Sequence, residues 1–191
     1  MEPVVIAVTG PSGFNKMDIV KKARLKNPDF GYIISYTTQE NVPELYDGDF
    51  KIVSEEEFDS MIYAEKFIEW QRLISNNYKY GKTKKDFDET IKNTKCKVLF
   101  TIINVINLPV LKRYYPKVKS LFIDVKDTKA LIEFLKNSPD ANTPEEYEKR
   151  LKFATEERRR RHLADITIKS QDDDEIDMKN FLDAVEKLKN L

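Results

Sequence analysis

Val4-Val5-Ile6-Ala7-Val8-Thr9-Gly10-Pro11-Ser12-Gly13-Phe14-Asn15-Lys16-Met17 is the stretch on which the fold turns. Its first six residues are mostly apolar and β-branched, the pattern of a strand buried on both faces. A glycine turn follows, and residues 17–26 then predict a helix with Ile19, Val20 and Ala23 set between charged positions. The same alternation continues downstream. Residues 31–35, 50–53, 67–70, 98–103, 121–125 and 165–169 predict strands. Residues 86–94, 128–136, 145–162 and 178–188 predict helices, and 137–144, with two prolines, predict a loop. Ser54 with Glu57 matches a capping box and predicts a helix of about ten residues with Phe58, Met61 and Ile62 on one face. Residues 37–49 are polar and contain proline, and 76–83 are polar and aromatic. Strands alternating with helices predict an α/β fold with a mostly parallel sheet covered on both faces.

The 191 residues suffice for one such domain with small inserted parts. With 33 basic against 33 acidic residues the net charge is zero, so neither nucleic acid nor an acidic membrane is expected as a partner. One cysteine, Cys96, and one histidine, His162, exclude an internal disulfide framework and a Cys/His zinc site. Both read as structural, and no metal ligands are expected. The opening residues have no basic region and no long apolar run, so a cytoplasmic location is expected.

A strand running through Gly10-Pro11-Ser12-Gly13-Phe14-Asn15-Lys16 into a helix is the layout of a phosphate-binding P-loop. Amides around such a loop, with the helix N-terminus behind them, make a nest for phosphate oxygens. The turn can equally be only a tight turn, without residual anion binding. Downstream come Ser35-Tyr36-Thr37-Thr38, Gly48-Asp49-Phe50, Ser54-Glu55-Glu56-Glu57-Phe58, Phe67-Ile68-Glu69-Trp70, Tyr80-Gly81, Leu121-Phe122-Ile123 and Lys149-Arg150-Leu151. In this order and spacing, over residues 4–170, the chain resembles guanylate kinases.

That resemblance implies a P-loop NTPase-like three-layer fold with a small mixed-β acceptor-nucleotide subdomain and a helical lid. Residues 1–34, 86–126 and 155–191 would form the core, 35–85 the GMP-binding-like subdomain and 127–154 the lid. It also implies phosphoryl transfer from ATP to GMP by positioning and charge neutralisation. Lys16 and Arg150 occupy the catalytic positions. Gly10, Ser12, Gly13, Asn15, Lys16 and Met17 occupy those of the ATP-phosphate loop. Ser35, Gln39, Val42, Phe50, Glu69 and Tyr80 occupy those of the acceptor site.

Several of these positions carry the wrong chemistry for phosphate. Asn15 stands where the loop has glycine, and Met17 where it has the Ser or Thr that ligates Mg²⁺, for which a thioether is a poor ligand. Gln39 and Val42 replace the two arginines that grip the acceptor phosphate, and Phe50 replaces a tyrosine. Lys82 takes the place of a serine, and the aspartate of the central strand falls near Thr101 or Ile103. The early lid arginines align with Phe134 and Ser138, Arg150 keeps the late one, and Lys136 is the nearest substitute. Glu69 reads either as a base-recognising carboxylate or as a structural relic.

Elsewhere, Arg158-Arg159-Arg160-Arg161 with Glu156-Glu157 reads as a solvated helix face with i,i+4 pairs. Asp172-Asp173-Asp174-Glu175 reads as a loop and cap before the last helix. The expected function is that of a guanylate kinase-like pseudoenzyme retained as a binding or regulatory module, with a protein partner and residual guanine-nucleotide binding. The alternative is a divergent active kinase, which would use ATP and Mg²⁺. A third is a sensor that binds nucleotide without turnover.

Overall fold

The computed structural model describes residues 2–12, 14, 16–73, 77–137 and 143–191. Gly13, Asn15, Ser138 and most of the predicted 137–144 loop lie outside them, as does Asn76.

Strand β1 (Val4–Thr9) lies at the centre of a five-stranded parallel sheet with β2 (Phe30–Tyr32), β7 (Val98–Ile102), β8 (Lys119–Asp124) and β9 (Ile166–Lys169), in the order β2-β7-β1-β8-β9. Its alternating side chains feed two cores. Ile6 and Val8 join Val98, Phe100, Leu121 and Ile123 beneath α1 (Lys16–Lys26) and α7 (Asp174–Lys189). Val5 and Ala7 point the other way and join Leu99 beneath α3 (Lys84–Asn93) and α4 (Leu108–Tyr114). Burial on both sides is why this strand reads as a continuous apolar run.

A second, four-stranded sheet runs β4 (Phe50–Ile52), β3 (Ser35–Thr37), β6 (Lys79–Thr83), β5 (Phe67–Arg72). The β3–β4 pair is parallel, and the β3–β6 and β5–β6 pairs are antiparallel. Helix α2 (Glu55–Tyr63) covers one face with Phe58 and Met61. Ser54 caps α2 by accepting from the Glu57 amide at 3.1 Å. A full reciprocal box, between Thr143 and Glu146, opens α6 (Pro144–Arg159). Helices α5 (Thr128–Lys136) and α6 pack on each other through Leu131, Leu135 and Ala154.

The run 31–35 is not one strand. β2 ends at Tyr32 in the large sheet and β3 begins at Ser35 in the small one. Among the described residues, α4 and β6 lie where the sequence predicts neither an α-helix nor a strand. Pro109 sits in the first turn of α4, where its missing N–H removes no helical hydrogen bond.

Candidate functional site

Gly10 has φ +154°, and a Cβ built there would lie 2.3 Å from the Ile123 carbonyl oxygen. Only glycine lets the chain turn this tightly against β8. The turn brings the following loop to the open end of the sheet, facing the small sheet. Strand alternation does the rest. Phe50, Ser35, Tyr80, Lys82, Glu69 and Gln71 lie on the face opposite α2, set by the register Ser35↔Phe50, Glu69↔Lys82 and Gln71↔Tyr80.

Between the sheets lies a cavity of about 350 Å³. Gly10, Ser12, Lys16, Met17, Ser35, Gln39, Val42, Phe50, Glu69 and Tyr80 all line it. Gly13 and Asn15 lie outside the described residues. Arg150 is buried in α6 and is not among the described residues lining the cavity; Lys136 is exposed at the end of α5. Ile103 lines the cavity. Thr101 does not; its buried hydroxyl has no hydrogen-bond partner among the described residues.

Two carboxylate–lysine pairs define the site's electrostatics. At the loop, Glu157 reaches in from α6. The Ser12 amide donates to its Oε2 at 2.6 Å, the Ser12 hydroxyl to Oε1 at 2.7 Å, and Asn104 Nδ2 to Oε1 at 2.8 Å. The Lys16 ammonium folds back on its own loop and donates to the Pro11 carbonyl at 2.6 Å. Burial lowers Lys16 to a pKa of about 8 against the pull of Glu157, and the same desolvation raises Glu157.

The second pair is at the small sheet. Lys82 donates to Ser35 Oγ at 2.9 Å and to the Ile102 carbonyl at 2.6 Å, with Glu69 Oε1 3.9 Å away. Asn107 Nδ2 donates to Glu69 Oε2 at 2.8 Å. Burial pushes Glu69 up and Lys82 down, each opposed by the other's charge.

Met17, Gln39, Phe50 and Phe134, at positions singled out by the resemblance, make contacts within the protein. Met17 Sδ accepts from the Tyr32 hydroxyl at 3.6 Å. Gln39 accepts from the Tyr80 hydroxyl and donates to the Asn41 carbonyl at 3.1 Å. Phe50 meets Tyr80 edge-on, with centroids 6.1 Å apart. Phe134 stands edge-on to Phe14 of the loop at 5.8 Å, so an apolar contact joins α5 to the glycine turn.

A family model described as guanylate kinase matches residues 1–188. The chain belongs to the guanylate kinase family. A guanylate kinase of Helicobacter pylori is 34% identical over 132 residues, covering 69% of this chain and 62% of that protein. A guanylate kinase of Corynebacterium jeikeium is 23% identical over 151 residues, covering 78% of this chain and 79% of that one. The matched stretch thus spans less than two thirds of the Helicobacter relative. The crystal structure of guanylate kinase from Anaplasma phagocytophilum superposes with a TM-score of 0.70 at 18% identity, covering 97% of this chain and 86% of that one. That likeness shows that the fold is shared.

Within this guanylate kinase fold the largest surprise is Glu157. The run 156–161 reads as a solvated face, and Glu156 does pair with Arg159 at 2.6 Å and Arg160 at 4.0 Å. Glu157 and Arg158 instead turn inward, Arg158 to the buried carboxylate of Asp124 at 2.6 Å. The signal was present in the sequence as helical phase. Arg150, Ala154 and Glu157 fall at i, i+4 and i+7, on the buried stripe of α6. Asn104, Tyr32 and Tyr46 also line the cavity and Asn107 holds Glu69, and no motif in the sequence marks any of them. Asp173 caps α7, as the acidic run predicted.

The depressed Lys16 pKa has a measurable consequence. Between about pH 8 and its unfolded value of 10.5 the unfolded chain holds more protons on this group than the folded one. Lys16 therefore favours folding more as pH rises through that window. Wild type should gain stability relative to Lys16→Met from pH 8 to 10.5, in denaturation curves measured side by side. A difference independent of pH would show that the ammonium is not desolvated.

Proposed function

We propose that this guanylate kinase-family protein is a binding or regulatory module that does not transfer phosphate. The observation supporting the reading is the charge of the cavity. Two ammonium groups, Lys16 and Lys82, face two carboxylates, Glu69 and Glu157, and each is held within the protein. Phosphoryl transfer between nucleotides runs on an excess of positive charge around the phosphates. Here that excess is absent among the described lining residues, and Met17, Gln39, Val42 and Phe50 add none. The lining is otherwise largely apolar and aromatic, which favours a neutral ligand or an apolar group of a protein partner over a phosphorylated one.

The rival reading, an active ATP:GMP phosphotransferase, draws on Lys16, Glu69 and Tyr80 sharing one cavity. A coupled kinase assay with Mg-ATP and each nucleoside monophosphate, run beside calorimetric titrations, separates the two. No turnover is expected. Turnover abolished by Lys16→Ala would overturn the proposal, and saturable nucleotide binding without product would assign a sensor. Among the described residues no helix is long and apolar enough to cross a membrane; a cytoplasmic site of action is part of the same proposal.

A further inference from the structure

The register of β5 against β6 shifts between Phe67 and Glu69, and the shift puts Glu69 opposite Lys82 on the cavity face. Neither side chain is fully used there. The Lys82 ammonium has three protons, of which Ser35 Oγ and the Ile102 carbonyl take two, at 2.9 and 2.6 Å. Glu69 Oε2 accepts from Asn107. Among the described residues no donor comes within hydrogen-bond distance of Oε1, and Lys82 Nζ stands 3.9 Å from it. One spare donor and one spare acceptor therefore sit side by side on the cavity wall, on residues only 3% and 8% exposed.

Their surroundings narrow what can meet them. Tyr32, Phe50, Tyr80, Met17 and Ile103 supply flat or apolar wall. A carboxylate placed here would meet Glu69 and an ammonium would meet Lys82, so the pair admits an uncharged group. A ring carbonyl next to a ring N–H engages both residues at once. An amino group next to a bare ring nitrogen sets donor against donor and lone pair against carboxylate. The serine that the resemblance puts at this position could donate or accept, whereas an ammonium only donates. We propose that Lys82, paired with Glu69, determines the specificity of the cavity and selects an uncharged ring that presents a carbonyl beside an N–H. That the ligand is uncharged rests on the functional reading above; the choice of ring edge does not.

Calorimetry with nucleosides that differ only at this edge tests the assignment. Inosine has the carbonyl and the N–H, adenosine has the reverse pattern, and 1-methylinosine keeps the carbonyl without the N–H. Wild type should bind inosine on the order of a hundredfold tighter than adenosine, because a buried polar group facing the wrong partner is left unpaired. Lys82→Met keeps the length of the side chain and removes its donor. It should lower that ratio about tenfold, the effect of one hydrogen bond to a charged group, and leave the preference over 1-methylinosine, which Glu69 reads, in place. A lysine that only joined the two sheets would weaken all three ligands alike and keep both ratios. Equal affinity of wild type for inosine and adenosine, no measurable binding of inosine, or a ratio unchanged in Lys82→Met each overturns the assignment; the wild-type comparison decides it should the variant not fold. Tighter binding of inosine 5′-monophosphate than of inosine would overturn the functional reading instead, and the inosine-to-adenosine ratio would still decide on Lys82.

Discussion

Asp124→Ala should cost about 3–5 kcal/mol of folding stability, the range for stranding one member of a buried ion pair. Asp124 ends β8 at 1% exposure and accepts from Arg158 Nε at 2.6 Å and Nη2 at 3.4 Å, and from the Val125 amide at 2.9 Å. Alanine leaves a guanidinium in a low-dielectric site with the Thr128 hydroxyl as its remaining side-chain partner at 3.3 Å. Arg158 keeps 18% side-chain exposure and can recover some hydration, which places the loss at the lower end. Urea denaturation measures it directly. Because the two groups act as a unit, Asp124→Ala with Arg158→Leu should cost less than the sum of the single changes. A loss below about 1 kcal/mol for Asp124→Ala would mean that the pair is solvated, as surface pairs are.

The second large effect is a gain. Gln39→Arg, Val42→Arg and Phe50→Tyr together should raise affinity for GMP on the order of a hundredfold or more, and leave affinity for guanosine unchanged. Hydrogen bonds to charged groups contribute about 1.5–3 kcal/mol each, and bidentate arginine–phosphate pairs are the strongest of them. Roughly 1.4 kcal/mol is a factor of ten. The three positions line one cavity, so the new donors converge. Gln39 gives up its bond with Tyr80 in the exchange, which lowers the gain. Calorimetry with the nucleoside and the nucleotide in parallel reads the phosphate contribution as the difference. Equal affinities for both in the triple variant would show that these positions do not face a phosphate.

Legibility in the sequence tracked how far local pattern reported burial. β1 and β7 were readable because strands buried on both faces are apolar throughout. The glycine loop was readable because φ at Gly10 admits no side chain without strain. β6 was not, since two of its buried residues are lysines: Lys79 at 4% exposure is held by Glu55 and Asp59, and Lys82 at 3% by Ser35 and Ile102. No hydropathy pattern marks a strand whose interior is charged. The 31–35 run failed for a different reason. β-propensity says that a segment is extended and says nothing about which sheet receives it. The acceptor positions were found through family resemblance, and the structure brings them into one cavity. The carboxylate opposite the loop was hidden inside a charge run, where only helical phase distinguishes an inward Glu157 from an outward Glu156.

The passage from β2 to β3 carries a consequence for engineering. Only Ile33 and Ile34 separate Tyr32 in one sheet from Ser35 in the other. Ile33 is fully buried among Val5, Leu99 and Phe87, and Ser35 is a partner of Lys82. There is no slack joint there at which to cut. Excising the small sheet, or grafting one from a relative, would remove a core side chain and a cavity side chain together. The half of this protein built on the small sheet is not an interchangeable part, and a working chimera has to carry the 30–37 ribbon whole.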